Sequence, residues 1–274
     1  MDFVCGNTFS ELCNVYIYPR TSYKNYIKNN YENVLFFKEK NTELINKIKN
    51  NKNIIFTKIE YLNFLKNFVL PHLNKPFVLV THNGDRKAGR DKELLSNPLL
   101  LKWYGINMVN ISNKTQGIPI GLANSSSSIE NFNIITKFSK NQKNKLLYLN
   151  FSLNTNPERK LIMEKMLNNG FFKNNQLKLE EYIEDLSHHK FAVSPEGNGI
   201  DCHRTWECLY LGVIPIVKEN KAMSFFKDLP ILFVDNYDNI TPEFLEKIYE
   251  EKFKNKNIDL KKLNISFWDN EIKK

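Results

Sequence analysis

A chain of 274 residues is long enough for one large domain or two of ordinary size. Its 42% hydrophobic and 25% charged residues are the balance of a soluble globular protein, and no apolar run nears the ~20 residues that a membrane-spanning helix needs. The net charge of +9 gathers in residues 1–130, where 17 Lys and Arg face 10 Asp and Glu; this surplus suits anionic partners, but its scatter and the core-like spacing of the aromatics argue against nucleic acid.

In chain order, residues 41–50 read as a short polar helix, and 61–73 as an amphipathic one with Leu62, Leu65, Phe68 and Val69 on one face. Pro76 introduces Phe77-Val-Leu-Val-Thr81, an unbroken run typical of a buried parallel strand, with a loop over 82–90 behind it. Residues 94–104 read as helix despite Pro98, and Gly117 and Gly121 enclose another short strand. The stretch 123–129, Ala-Asn-Ser-Ser-Ser-Ser-Ile, is the most linker-like, because Ser and Asn build no core.

Beyond it, strands and helices alternate. Strand 145–151 leads to helix 156–169, capped by Asn156 with Pro157 in its first turn, and then to helix 179–188. Strand 191–194, helix 202–211 closed by Gly212, strands 213–217 and 230–234, and helix 241–252 complete the series. This alternation implies parallel sheets covered on both faces. The expected fold is α/β, with two Rossmann-like lobes, 1–125 and 126–274, facing a cleft. Ligands of such sheets sit beyond the carboxyl ends of the strands, which nominates the loops 82–90 and 194–202.

The densest chemistry lies in Phe191-Ala-Val-Ser-Pro-Glu-Gly-Asn-Gly-Ile-Asp-Cys-His-Arg-Thr-Trp-Glu207. A strand leaves its sheet at Ser194 and enters a loop with Gly197 and Gly199, which permit close approach of a ligand and positive φ. Asp201 is placed to cap the following helix, whose N-terminal amides suit a phosphate. His203 and Arg204 stand in the first turn, where a guanidinium can fork onto a diphosphate. Glu207, one turn later on the same face, can reach ribose hydroxyls. An ordinary capped β/α turn explains Glu196, Asn198, His203, Arg204 and Glu207 poorly when all fall within twelve residues. Gly-Asn-Gly is not the dinucleotide fingerprint and no Gly-Lys-Ser/Thr occurs, so a Walker-type site is disfavoured.

The stretch from Lys190 to Val217, with its Ser-Pro-Glu-Gly loop, the Arg and Glu one turn apart, and Leu-Gly-Val-Ile-Pro-Ile, resembles the donor-binding core of exostosin-like glycosyltransferases. It is most similar to the short forms found in large DNA viruses and some microbes. Thr81-His-Asn-Gly-Asp85, Leu101-Lys-Trp-Tyr-Gly-Ile-Asn107, Ile118-Pro-Ile-Gly-Leu-Ala-Asn124, Tyr148-Leu-Asn-Phe151 and Asn156-Pro-Glu-Arg159 extend the resemblance over roughly residues 77–235.

The resemblance implies a GT-B architecture and a sugar transferred from a nucleotide-diphosphate donor to a glycan or protein hydroxyl. The donor sits on the C-terminal lobe, with a uridine diphosphate sugar favoured and a guanosine one open. It adds Asn150 to the donor-binding residues and implies independence from metal and from any other cofactor. The sequence agrees in lacking Asp-x-Asp, since Asp235-Asn-Tyr-Asp238 has the wrong spacing. Without a cation the departing diphosphate needs fixed positive groups. Arg204 leads, Arg159 is second and Lys218 a distant third.

The loop His82-Asn-Gly-Asp85 supplies the expected base for the acceptor hydroxyl, with Asp85 favoured narrowly over His82. Inversion at the anomeric carbon follows from family analogy alone. The alternative is a non-catalytic module that holds a nucleotide or glycan on a degenerate transferase fold. Cys5, Cys13, Cys202 and Cys208 fit no zinc spacing and read as reduced thiols, and the N-terminus lacks a secretory pattern. Both point to the cytoplasm, the host's if the protein is viral.

Overall fold

The computed structural model describes residues 2–18, 34–36, 41–124, 128–254, 256 and 258–274. The chain forms two compact units, Met1–Ile120 with Asn264–Lys274, and Gly121–Leu263. Of the linker-like stretch, residues 125–127, and with them the expected lobe boundary, lie outside the described residues.

The first unit is built on a six-stranded parallel sheet: β1 Val15–Tyr18, β2 Val34–Phe36, β3 Asn53–Thr57, β4 Phe77–Thr81, β5 Leu100–Gly105 and β6 Thr115–Gly117, in the order β2-β1-β3-β4-β5-β6. All five residues of β4 are buried, as its unbroken apolar run requires at the centre of a sheet covered on both faces. The one polar side chain among them, Thr81, accepts a hydrogen bond from the Trp103 indole at 2.9 Å.

Two elements differ from expectation here. Residues 94–104 are not one helix: a single turn, Lys92–Ser96, stops before Pro98, and β5 follows. Proline disfavours helical geometry in the residue before it, and Asn97 is extended at φ −60°, ψ 122°. The short strand expected inside 117–121 lies earlier, at β6. In 61–73, Leu62, Leu65 and Val69 are buried as expected, but Phe68 is 58% exposed and stacks on Phe64. A wide π turn, Leu65–Val69, breaks the 3.6-residue period that would have carried Phe68 inward.

The second unit holds β7 Lys145–Tyr148, β8 His189–Val193, β9 Ile214–Lys218 and β10 Leu232–Val234, all parallel, in the order β10-β9-β8-β7. Its core joins Leu147, Phe191, Ile214 and Ile216 of the sheet to Ile162, Met163 and Met166 of the helix Glu158–Asn168. The helix His203–Leu211 ends at Gly212 in the left-handed region, φ 68°. The chain is therefore α/β with two parallel sheets. No helix among the described residues is long and apolar enough to cross a membrane.

Candidate functional site

In the second unit, the loops that follow β7 and β8 lie side by side at the carboxyl ends of their strands, tied together by Arg159. Its Nε donates to the carbonyl of Glu196 at 2.8 Å, Nη1 to that of Ser152 at 2.9 Å and Nη2 to that of Pro195 at 2.8 Å. Nη2 also lies 3.7 Å from the Cys202 sulfur. The guanidinium is buried, its pKa lowered by that burial, and it fixes the loop backbone. Gly197 leaves room for it, since a Cβ there would stand 3.1 Å from Nη2, closer than ordinary contact.

The loop 194–202 is thus held from behind. Ser194 is buried, its hydroxyl 2.9 Å from that of Thr205. Glu196 accepts from the Asn220 amide at 3.1 Å, and Asn198 is exposed. Neither Gly197 nor Gly199 takes the positive φ expected of it. Asp201 is not a cap either. Both its carboxylate oxygens accept from the Trp206 indole, at 2.9 and 3.0 Å, while Cys202 occupies the cap position without a side-chain capping bond. The carboxylate is buried, and an indole one turn into the helix helps to satisfy it.

Arg204 points elsewhere. It lines a cavity of about 540 Å³ at the carboxyl end of β7, along with Tyr148, Asn150, Asn154, Lys173 and Tyr182. Its guanidinium carbon lies 5.6 Å from the centre of the Tyr148 ring and 5.2 Å from that of Tyr182, within cation–π range of both. Nη1 donates to the Asn150 carbonyl, and Nε donates to the Tyr182 hydroxyl at 3.2 Å. That hydroxyl in turn donates to Glu207 Oε2 at 2.7 Å. A relay from Arg204 through Tyr182 to Glu207 therefore orients the guanidinium. Nη2 has no protein partner among the described residues.

The electrostatics fit a permanent cation. Burial works against the charge of Arg204, but Tyr182 and Glu207 outweigh it and the pKa is raised. Burial also pushes the Tyr182 hydroxyl well above its ordinary value, so it remains a phenol able to donate to Glu207. Lys218, the third cation considered, pairs with Glu158 at 3.2 Å.

Of the residues chosen from the sequence, Asn150 and Arg204 line the cavity and Glu207 backs it through Tyr182. His203 turns its Nδ1 to the Gly121 carbonyl at 2.7 Å. Tyr182, Lys173 and Asn154 were not singled out. Tyr182 sits on the helix Leu179–Ser187, where nothing in the local pattern separates it from any half-buried aromatic.

In the first unit, the loop after β4 holds the candidate base. His82 is buried, with Nε2 3.1 Å from the Pro119 carbonyl and Nδ1 accepting from the Asn83 amide at 2.8 Å. Nδ1 also lies 2.9 Å from the Asn83 side-chain oxygen, so both ring nitrogens are engaged. Asn83 turns the chain at φ 60°. Asp85 is exposed, and its carbonyl accepts from the Asn107 amide at 3.3 Å.

In comparisons with known proteins, no family model and no curated protein matches the chain.

Proposed function

We propose that the chain is a metal-independent glycosyltransferase of GT-B type whose nucleotide-diphosphate sugar binds in the cavity beside β7. The observation that carries this is Arg204: a guanidinium held charged beside two tyrosine rings, braced through Tyr182 by a carboxylate one turn away, with an unpaired edge, lining a cavity large enough for a nucleotide. Such a group needs no reorganisation to receive negative charge as it develops on a departing diphosphate. The likeness of residues 190–217 to exostosin-like enzymes supports a sugar donor, with uridine diphosphate favoured over guanosine diphosphate.

In the proposed reaction the acceptor hydroxyl attacks the anomeric carbon, the bond from that carbon to the diphosphate oxygen breaks, and the hydroxyl proton passes to a base. Asp85 suits that role better than His82. Its carboxylate is exposed at a strand end, whereas both ring nitrogens of His82 already serve the loop. His82 then positions Asp85 by holding the turn at Asn83.

Arg204→Ala should abolish transfer and lower nucleoside diphosphate affinity by about ten- to a hundredfold, the worth of a charged hydrogen bond, with the fold retained. Donor hydrolysis in excess EDTA is the companion measurement, and wild-type turnover should persist there. Undiminished affinity in the folded variant would remove the proposal. Firm nucleotide binding with no turnover of any donor would leave a binding module in place of an enzyme.

A further inference from the structure

The diphosphate site needs more positive charge than Arg204 supplies, because Arg159, the obvious second cation, is committed to three backbone carbonyls. The geometry points to Lys173 as the second phosphate anchor, the residue that makes this cavity prefer a nucleoside diphosphate to a monophosphate. This rests on the donor-site assignment above and adds a residue that neither the motif nor the resemblance contains.

Lys173 lines the same cavity as Arg204, and its ammonium has no ion pair or hydrogen bond among the described residues. Other lysines of the second unit are engaged: Lys145 pairs with Asp185, Lys165 with Asp238, Lys190 with Glu246 and Lys218 with Glu158. An unpaired lysine at a cavity wall is a cation left available.

Its backbone, moreover, is fastened. The next residue, Asn174, extends the edge of β7. Its amide donates to the Leu149 carbonyl at 2.8 Å, and its side-chain oxygen accepts from the Leu149 amide at 2.8 Å. Its side-chain nitrogen donates to Asp185 at 3.2 Å, and Asn150 donates to the Asn175 carbonyl at 2.8 Å. Four bonds thus pin residues 174 and 175 to the strand end and to the helix behind it. Lys173 is carried on that anchored backbone beside Asn150, whose own carbonyl holds Arg204. The two cations are mounted on one rigid strand end by different means. Arg204 offers a fixed planar fork, and Lys173 offers a compact charge on a flexible stem that can follow the terminal phosphate as it leaves.

The test compares uridine and guanosine diphosphates with their monophosphates by calorimetry on wild-type protein, Lys173→Gln and Lys173→Arg. Wild-type protein should prefer diphosphate by about tenfold or more, as one added charge-assisted contact allows. Lys173→Gln should lose most of that preference through weaker diphosphate binding, with monophosphate affinity within about twofold of wild type, and Lys173→Arg should recover it. A general structural lesion would weaken both ligands alike. Full diphosphate preference in a folded Lys173→Gln overturns this inference and leaves the donor site standing. Wild-type protein that binds no nucleotide overturns both.

Discussion

Arg159 and Arg204 each lie near the start of a helix that follows a strand, yet they do opposite things. Arg159 gives its donors to the carbonyls of Ser152, Pro195 and Glu196, so its charge holds the two loops together. Truncation to alanine would strand three carbonyls and open a void, and we expect Arg159→Ala to cost about 3 kcal/mol or more of stability in urea unfolding. Arg204→Ala should cost less, because it removes one hydrogen bond to a backbone carbonyl where Arg159→Ala removes three, and its guanidinium lines a cavity that water can refill. If the two variants were equally destabilised, the division of labour between the arginines would be wrong. The sequence shows two arginines in equivalent settings and ranks Arg204 first, but it cannot show that the carbonyls of 195 and 196 converge on Arg159. That convergence comes from the path of a loop, which no local pattern encodes. Asp201 carries the same lesson: an Asp ahead of a helix is read as a cap, and only the packing of Trp206 reveals the other partner.

Elements were legible where one physical signal dominated. The unbroken apolar run of β4 and the Gly at the end of the helix His203–Leu211 stand where their chemistry placed them. Reading failed where two signals competed. In 94–104 the helical reading set Pro98 aside, although Trp103 and Tyr104 are strand formers and the proline does end the helix. The wide turn at Leu65–Val69 likewise shifts the helical phase with no sequence mark. Gly212 offers a quantitative check. Its φ of 68° lies in the left-handed region, and a Cβ there would meet nothing within 4 Å. Gly212→Ala should therefore cost about 1–2 kcal/mol through backbone strain alone, without a clash and without a change in nucleotide affinity. A larger loss, or altered binding, would mean that the turn into β9 has further constraints.

At the scale of the whole molecule, the last eleven residues return to the first unit, which their sequence does not announce. The helix Ile265–Lys273 shows an apolar face in Trp268 and Ile272, but periodicity cannot say which sheet that face will cover. In the structure Trp268 is 1% exposed, with its ring 5.9 Å from that of Phe9, and the Glu271 carbonyl accepts from the Tyr104 hydroxyl at 2.8 Å. Removing so large a buried side chain costs about 3–5 kcal/mol, and in Trp268→Ala that loss should fall on the first unit. The cysteines report on each unit separately. Cys5 and Cys13 are buried in the first and Cys208 in the second, and burial raises the pKa of all three, so none reacts until its surroundings open. Pulsed thiol labelling of Trp268→Ala in rising urea should modify Cys5 and Cys13 at lower denaturant than in the wild type, with the midpoint for Cys208 unmoved. A common shift of all three thiols would show instead that the chain unfolds as one cooperative body, and that the C-terminal helix stabilises the second unit as much as the first.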